Sequence, residues 1–239
     1  MIGEFLRALF VVILVVAVPV MSYSTARKPE VRTLPRRALY FSATLSQWLL
    51  AIVGIAVALA ARIDFRALGF RGAGFLPSLG WTVGLTLASS AGLLLVILLE
   101  RRGWWPPESE LVYLLLPETR REKVWCVLLL APTAGLCEEF LYRGFLLFQI
   151  ANWTHSSGWG LAISSIAFGL AHTYQGVNGM ARAAFLGALL ALPVVRLGTL
   201  YPSMASHFLI DALALVWLGP KLLGSSRRDP DVASGKFGE

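Results

Sequence analysis

Residues 131–148 read Ala-Pro-Thr-Ala-Gly-Leu-Cys-Glu-Glu-Phe-Leu-Tyr-Arg-Gly-Phe-Leu-Leu-Phe. The stretch is apolar except around Glu138, Glu139 and Arg143, so its composition is that of a membrane helix. An ionisable residue at membrane depth costs at least about 2.5 kcal/mol on insertion scales and marks a functional site by default. Three such residues so close together predict a functional site inside a membrane helix.

The composition of the whole chain agrees with a membrane protein. The chain has 239 residues, of which 56% are hydrophobic and 15% are charged, whereas about a quarter of a soluble domain is charged. The net charge of +7 does not indicate a nucleic-acid partner, because the basic residues cluster between apolar runs, as juxtamembrane anchors do. The two cysteines are too few for a disulfide framework or a zinc set. We therefore predict an all-α, polytopic transmembrane helical bundle.

Apolar runs of roughly 17–25 residues can span a bilayer. The sequence predicts about seven membrane helices, within a range of six to eight, and an interfacial helix over 111–116. The seven runs are 5–23, 38–61, 77–99, 123–150, 158–173, 180–197 and 199–219. Residues 1–219 are predicted to form one transmembrane domain, with catalytic motifs in 123–218, and polar residues 220–239 a disordered cytoplasmic tail. Ser24-Thr25-Ala26 resembles a signal-peptidase site, so cleavage of the first run stays open as an alternative.

Basic residues predict the orientation, because cytoplasmic loops carry an excess of Lys and Arg. Lys and Arg are concentrated in the 24–37 loop, the 100–123 loop and the carboxyl-terminal tail, whereas the alternate loops carry fewer basic residues. Seven helices then place the amino end outside and the carboxyl end in the cytoplasm. We predict a multi-pass protein of the inner or plasma membrane of a prokaryote.

The first polar motif contains two carboxylates and an arginine. Residues i and i+4 of a helix lie on one face, so Glu139 and Arg143 are predicted to pair. Glu138 points about 100° away and is left free for chemistry. The alternative is a solvated Glu/Arg pair on a surface helix, which the apolar flanks disfavour.

Two later apolar runs each contribute a histidine. Phe168 and His172 are four residues apart, so the ring can pack over the imidazole. His207 and Asp211 also share a helical face, and Asp211 is predicted to accept the imidazole N–H, which would fix the tautomer. Taken singly, each histidine has a structural alternative, an interfacial His172 bound to water or a buried His207–Asp211 pair.

Carboxylates and histidines together can activate a water molecule for hydrolysis. A glutamate accepts the proton as general base, and a histidine holds the water or stabilises the oxyanion. The same groups could also hold zinc with one open position, with Glu138, His172 and His207 as ligands. The chain has no His-Glu-x-x-His and no Gly-x-Ser-x-Gly motif, so a glutamate-based hydrolytic site is predicted.

Three motifs in this order resemble the CPBP family of intramembrane proteases, also called the CAAX prenyl protease 2 and bacteriocin-immunity (Abi) family. The motifs are Glu-Glu-x-x-x-Arg at 138–143, Phe-x-x-x-His at 168–172 and His-x-x-x-Asp at 207–211. The resemblance covers residues 120–218 and implies an all-helical intramembrane endopeptidase. By it, Glu138 and His172 hold the attacking water, and His207 with residue 211 stabilises the oxyanion.

Position 211 departs from the best-known CAAX-processing members, which carry Asn there. An ionised Asp211 cannot donate to an oxyanion, so we assign it to orienting His207. The family resemblance does not decide between a zinc protease and a metal-free glutamate protease. We expect a metal-free site, because Glu139 is predicted to be committed to Arg143.

The leading hypothesis is an endopeptidase that cuts near the C-terminus of a membrane-anchored or lipidated protein or peptide. A non-catalytic bacteriocin-immunity or partner-binding protein on the same scaffold is the alternative, although a pure binder need not retain costly buried charges. A haem protein ligated by His172 and His207 would leave Glu138, Glu139 and Arg143 unexplained. A proton-coupled transporter would be expected to show paired repeats, and none is visible. The substrate is not identified by the sequence.

Overall fold

The computed structural model describes residues 2–106 and 109–218, and this part of the chain is helical and contains no β-strand. The predicted all-α bundle is therefore confirmed. Its helices are α1 (Ile2–Ala26), α2 (Pro29–Thr33), α3 (Arg36–Ala60), α4 (Phe75–Arg101), α5 (Glu110–Leu115), α6 (Arg120–Thr154), α7 (Ser157–Ala171), α8 (Gly176–Leu197) and α9 (Tyr201–Leu213). The predicted tail at 220–239 lies outside the described residues.

Each of the seven predicted membrane runs corresponds to a helix, and the predicted interfacial segment is α5. Among the described residues, five helical segments are long and apolar enough to cross a membrane, namely Ile2–Ala26, Arg36–Ala60, Phe75–Arg101, Arg120–Thr154 and Thr173–Leu197. The chain is a multi-pass membrane protein. The other two runs are shorter than predicted, because α7 has 15 residues and α9 has 13 before a wider turn at Ala214–Leu218.

The polar motif lies on the most enclosed of these five segments. Within an apolar stretch of 18 residues in α6, 56% of the residues are buried inside the protein, whereas the value for the corresponding stretch of α4 is 11%. Aromatic and aliphatic side chains around the motif, such as Phe140, Phe145 and Leu146, are buried in the main core. α6 is therefore the central helix, and Glu139 and Arg143 of its polar motif are buried among other helices rather than exposed to lipid.

The first helix is packed into this core. Phe10 and Leu14 of α1 are buried, and the ring of Phe10 meets the ring of Phe145 edge-on at 5.0 Å between centroids. Near the other end of α1, Ser22 accepts a hydrogen bond from Thr173 at 2.9 Å. In the uncleaved chain, α1 is therefore part of the helical bundle.

A glycine sets the distance between α6 and α9. A Cβ atom on Gly135 would lie 2.8 Å from the carbonyl oxygen of Met204 and 3.1 Å from the backbone nitrogen of Phe208. The two backbones can approach this closely only because residue 135 has no side chain, as small residues allow between membrane helices. Glu139 follows about one turn later on α6, so this contact brings it beside His207 of α9.

Candidate active site

The backbone of α6 is wider than a regular α-helix at the site. From Ala134 to Leu146 its hydrogen bonds follow the π pattern, in which each N–H reaches five residues back. Such segments are rare and occur frequently at functional sites. The predicted pairing of Glu139 with Arg143 does not depend on a regular α-helix, since the two side chains also face one another in this wider segment.

Glu139 is the buried hub of the site. Its Oε1 lies 2.9 Å from Nη1 of Arg143 and 2.7 Å from Nδ1 of His207, and its side chain is fully buried. The predicted pairing of Glu139 with Arg143 is confirmed. The contact with His207 was not predicted, and it joins two of the three motifs directly.

Arg143 is buried as well and is held by more than its carboxylate partner. Its guanidinium lies 4.0 Å from the centre of the Phe168 ring, and its Nε donates to the carbonyl of Gly187 at 3.4 Å. A Cβ atom on Gly187 would lie 3.2 Å from Nη2 of Arg143, so the glycine leaves room for the guanidinium. Arg143 thus links α6 to α7 and α8 and balances the charge of Glu139.

His207 is oriented by Glu139 and not by Asp211. Because an ionised carboxylate only accepts hydrogen bonds, the contact with Glu139 places a proton on Nδ1 of His207. Nε2 of His207 then points to the remaining acids, 3.7 Å from Oδ2 of Asp211 and 3.8 Å from Oε2 of Glu138. A separation of 3.7 Å is too long for a hydrogen bond. The prediction that Asp211 accepts the imidazole N–H is therefore wrong, and Asp211 lies on the reactive side of the ring.

His172 ends α7 and joins the same site through Phe168. Its Nδ1 is 2.8 Å from the carbonyl oxygen of Phe168, so Nδ1 donates and Nε2 is left as an acceptor. The ring of Phe168 packs against the imidazole of His172 at 4.5 Å, as predicted, and against that of His207 at 6.0 Å. One aromatic side chain therefore separates and orients both histidines.

Glu138 is less buried than Glu139 and has a partner that sequence reasoning missed. The side chain of Glu138 is 14% exposed, whereas that of Glu139 is fully buried. Its Oε1 accepts a hydrogen bond of 2.7 Å from Nε2 of Gln47, on α3. Gln47 belongs to no motif, and its only signal in the sequence is an amide inside a membrane helix.

A catalytic zinc ion at this site would need three protein ligands and an open position. Among the described residues, no three His, Cys, Asp or Glu side chains come together at the spacing of a metal site. Glu139 is occupied by Arg143 and His207, whereas each histidine uses only Nδ1 for a protein contact and keeps Nε2 open. The metal-free site therefore stays a prediction.

Residues 120–213 match the sequence model of a family described as type II CAAX prenyl endopeptidase, Rce1-like. The match includes all three motifs and begins at the first residue of α6. No curated protein and no solved structure gave a match to the chain. The predicted resemblance to this family is confirmed over these residues, and at the level of the family the match supports a CAAX-type intramembrane endopeptidase.

Proposed function

We propose that this protein is a type II CAAX-like endopeptidase that hydrolyses a peptide bond near the C-terminus of a membrane-anchored or lipidated protein, using water activated by Glu138. The proposal depends on one observation above all. The side chains of Glu138 and His207 face each other across 3.8 Å, while Glu139 is committed to Arg143 and to the far side of the same imidazole. One glutamate is therefore held in place and the other is available for chemistry.

In this mechanism, the attacking water donates one hydrogen bond to Oε2 of Glu138 and one to Nε2 of His172. The water oxygen bonds to the scissile carbonyl carbon as Glu138 takes a proton. The carbonyl oxygen becomes an oxyanion, to which an imidazolium at His207 donates its Nε2–H, with Glu139 balancing the charge. The C–N bond then breaks as the oxyanion reforms the carbonyl and Glu138 returns its proton to the leaving nitrogen, giving a carboxylic acid and an amine.

The partly exposed side of the site is where a substrate would enter. Glu138 and Asp211 are 14% and 29% exposed, whereas Glu139, Arg143 and His207 are all nearly inaccessible. A peptide bond must reach Glu138 and Asp211 without displacing the buried set of Glu139, Arg143 and His207. A membrane-anchored tail would deliver that bond at membrane depth, and the inner or plasma membrane of a prokaryote is the location we propose.

The function can be tested without knowing the natural substrate. Cells expressing the wild type or Glu138→Ala are compared for new protein C-termini by mass spectrometry of their membrane fractions. In parallel, both proteins in liposomes receive a farnesylated peptide with a CAAX tail, its unprenylated form and a peptide with a transmembrane anchor. We expect fragments that depend on Glu138. If no Glu138-dependent fragment forms in cells or liposomes, the non-catalytic partner-binding alternative is favoured.

We expect that wild-type turnover is insensitive to a chelator. The general base and the groups around the oxyanion are all protein side chains in this mechanism, so a zinc-binding chelator has nothing to remove. Initial rates in liposomes are measured with and without the chelator, followed by added zinc. Strong inhibition that zinc reverses would contradict the metal-free mechanism and make His172 and His207 ligand candidates.

We expect Asp211→Asn to retain more turnover than Asp211→Ala. Asp211 lies 3.7 Å from Nε2 of His207, where the amide of Asn can donate to an oxyanion. Alanine offers no donor there, and one oxyanion donor is typically worth about 10²–10³ in turnover. Rates of both variants are compared at matched expression. Equal turnover of the two variants would show that residue 211 does not contact the oxyanion.

A further inference from the structure

Gln47 approaches the site from α3, outside the residues that match the family. Its amide nitrogen lies 2.7 Å from Oε1 of Glu138, and because the carboxylate can only accept, Nε2 is the donor. Its carbonyl oxygen is buried and has no hydrogen-bond partner among the described residues. The hydrogen bonding of this side chain is therefore directed at Glu138 alone.

The contact makes the two oxygens of Glu138 inequivalent. Oε1 is held by Gln47, whereas Oε2 is the oxygen that faces Nε2 of His207 at 3.8 Å. A glutamate side chain has several rotatable bonds, and ordering it costs entropy that a fixed contact must offset. Hydrogen bonds to an ionised acceptor are about twice as strong as neutral ones, so the Gln47 amide is suited to this task.

We propose that Gln47 is a positioning residue that holds Glu138 by Oε1 and so presents Oε2 to the reacting water. The inference rests on the proposed function, because it assigns Gln47 a part in the same hydrolysis. Gln47 does not touch the reacting atoms. It acts through Glu138, and the region matched by the family contributes only one of the two residues in this contact.

The test is a pair of substitutions that keep the length of the side chain. Gln47→Met is unbranched and lacks the donor, so Glu138 loses its fixed orientation. A misplacement of about 1 Å can cost about 10²-fold in rate, and we expect a fall of that size in kcat, with KM and the thermal unfolding midpoint unchanged. Gln47→Glu is also expected to lower kcat, because its carboxylate either repels Glu138 or shares a proton with it.

The neighbouring residue supplies a matched control. Trp48 also hydrogen-bonds from α3 to α6, with Nε1 donating to Oγ1 of Thr133 at 3.0 Å. Trp48→Phe removes one hydrogen bond between the same two helices without touching Glu138. If Gln47 served only to hold α3 against α6, both substitutions would have the same effect, whereas we expect wild-type kcat in Trp48→Phe.

The outcomes separate this inference from the proposed function. A wild type that cleaves and a Gln47→Met variant with the same kcat would overturn the inference alone. An equal loss in Gln47→Met and Trp48→Phe would also overturn it, because it would show a role in helix packing. A wild type that cleaves none of the peptides and makes no Glu138-dependent fragment in cells would overturn the proposed function first, and the inference with it.

Discussion

Glu138→Ala is expected to lose about 10²–10⁴-fold in turnover, the usual contribution of a general base, while the protein inserts and folds as the wild type does. The reason is that Glu138 contributes little to the buried framework. It is the more exposed of the two glutamates, and the charge of Arg143 is already balanced by Glu139. Turnover in liposomes and the yield of detergent-stable protein are the two measurements.

Two controls accompany this substitution. Glu138→Gln keeps the size of the side chain and a polar partner for Gln47 but cannot take a proton, so it should be nearly as inactive. Glu118→Ala removes an exposed carboxylate that pairs with Arg36 at 2.6 Å, away from the site, and should leave turnover unchanged. Near-normal turnover in Glu138→Ala would show that another group is the base.

Contacts within one helix could be predicted from the sequence because the helical repeat alone fixes them. Glu139 and Arg143 pair, and Phe168 packs on His172, as their spacing of four residues requires. Apolar runs likewise predicted which segments are helical. Their exact ends depend on local chemistry, such as the Ser156 side chain that caps the start of α7, and these were less well predicted.

Contacts between helices could not be predicted in the same way. Glu139 and His207 are 68 positions apart, and their meeting depends on how deeply α9 lies against α6. That depth is set by Gly135 and the backbone of residues 204–208, a fit that no pattern in the sequence displays. The sequence therefore predicts Asp211, on the same helix, as the partner of His207. In the structure the partner is Glu139.

Gln47 illustrates a further limit of motif reasoning. It lies in the half of the chain where the sequence resembles the family only in hydropathy, among small polar residues such as Thr44 and Ser46. An amide in such a segment can face another helix, water or lipid headgroups. Only the position of α3 beside α6 shows that it contacts Glu138.

Glu139→Ala is expected to damage both folding and activity, unlike Glu138→Ala. It leaves Arg143 buried without its carboxylate partner, and breaking a buried ion pair in this way costs about 3–5 kcal/mol. It also removes the acceptor that holds Nδ1 of His207. We therefore expect a lower thermal unfolding midpoint and yield, together with a loss of turnover in the protein that still folds.

A double substitution separates these two roles of Glu139. Replacing a whole buried ion pair by apolar groups is often nearly neutral for stability, so Glu139→Ala combined with Arg143→Met should recover much of the unfolding midpoint. Turnover should not recover, because His207 still lacks the carboxylate that orients its ring and balances its charge. Recovery of both stability and turnover would show that Glu139 only compensates the charge of Arg143. Recovery of stability alone would establish that Glu139 also acts in catalysis, through the orientation of His207.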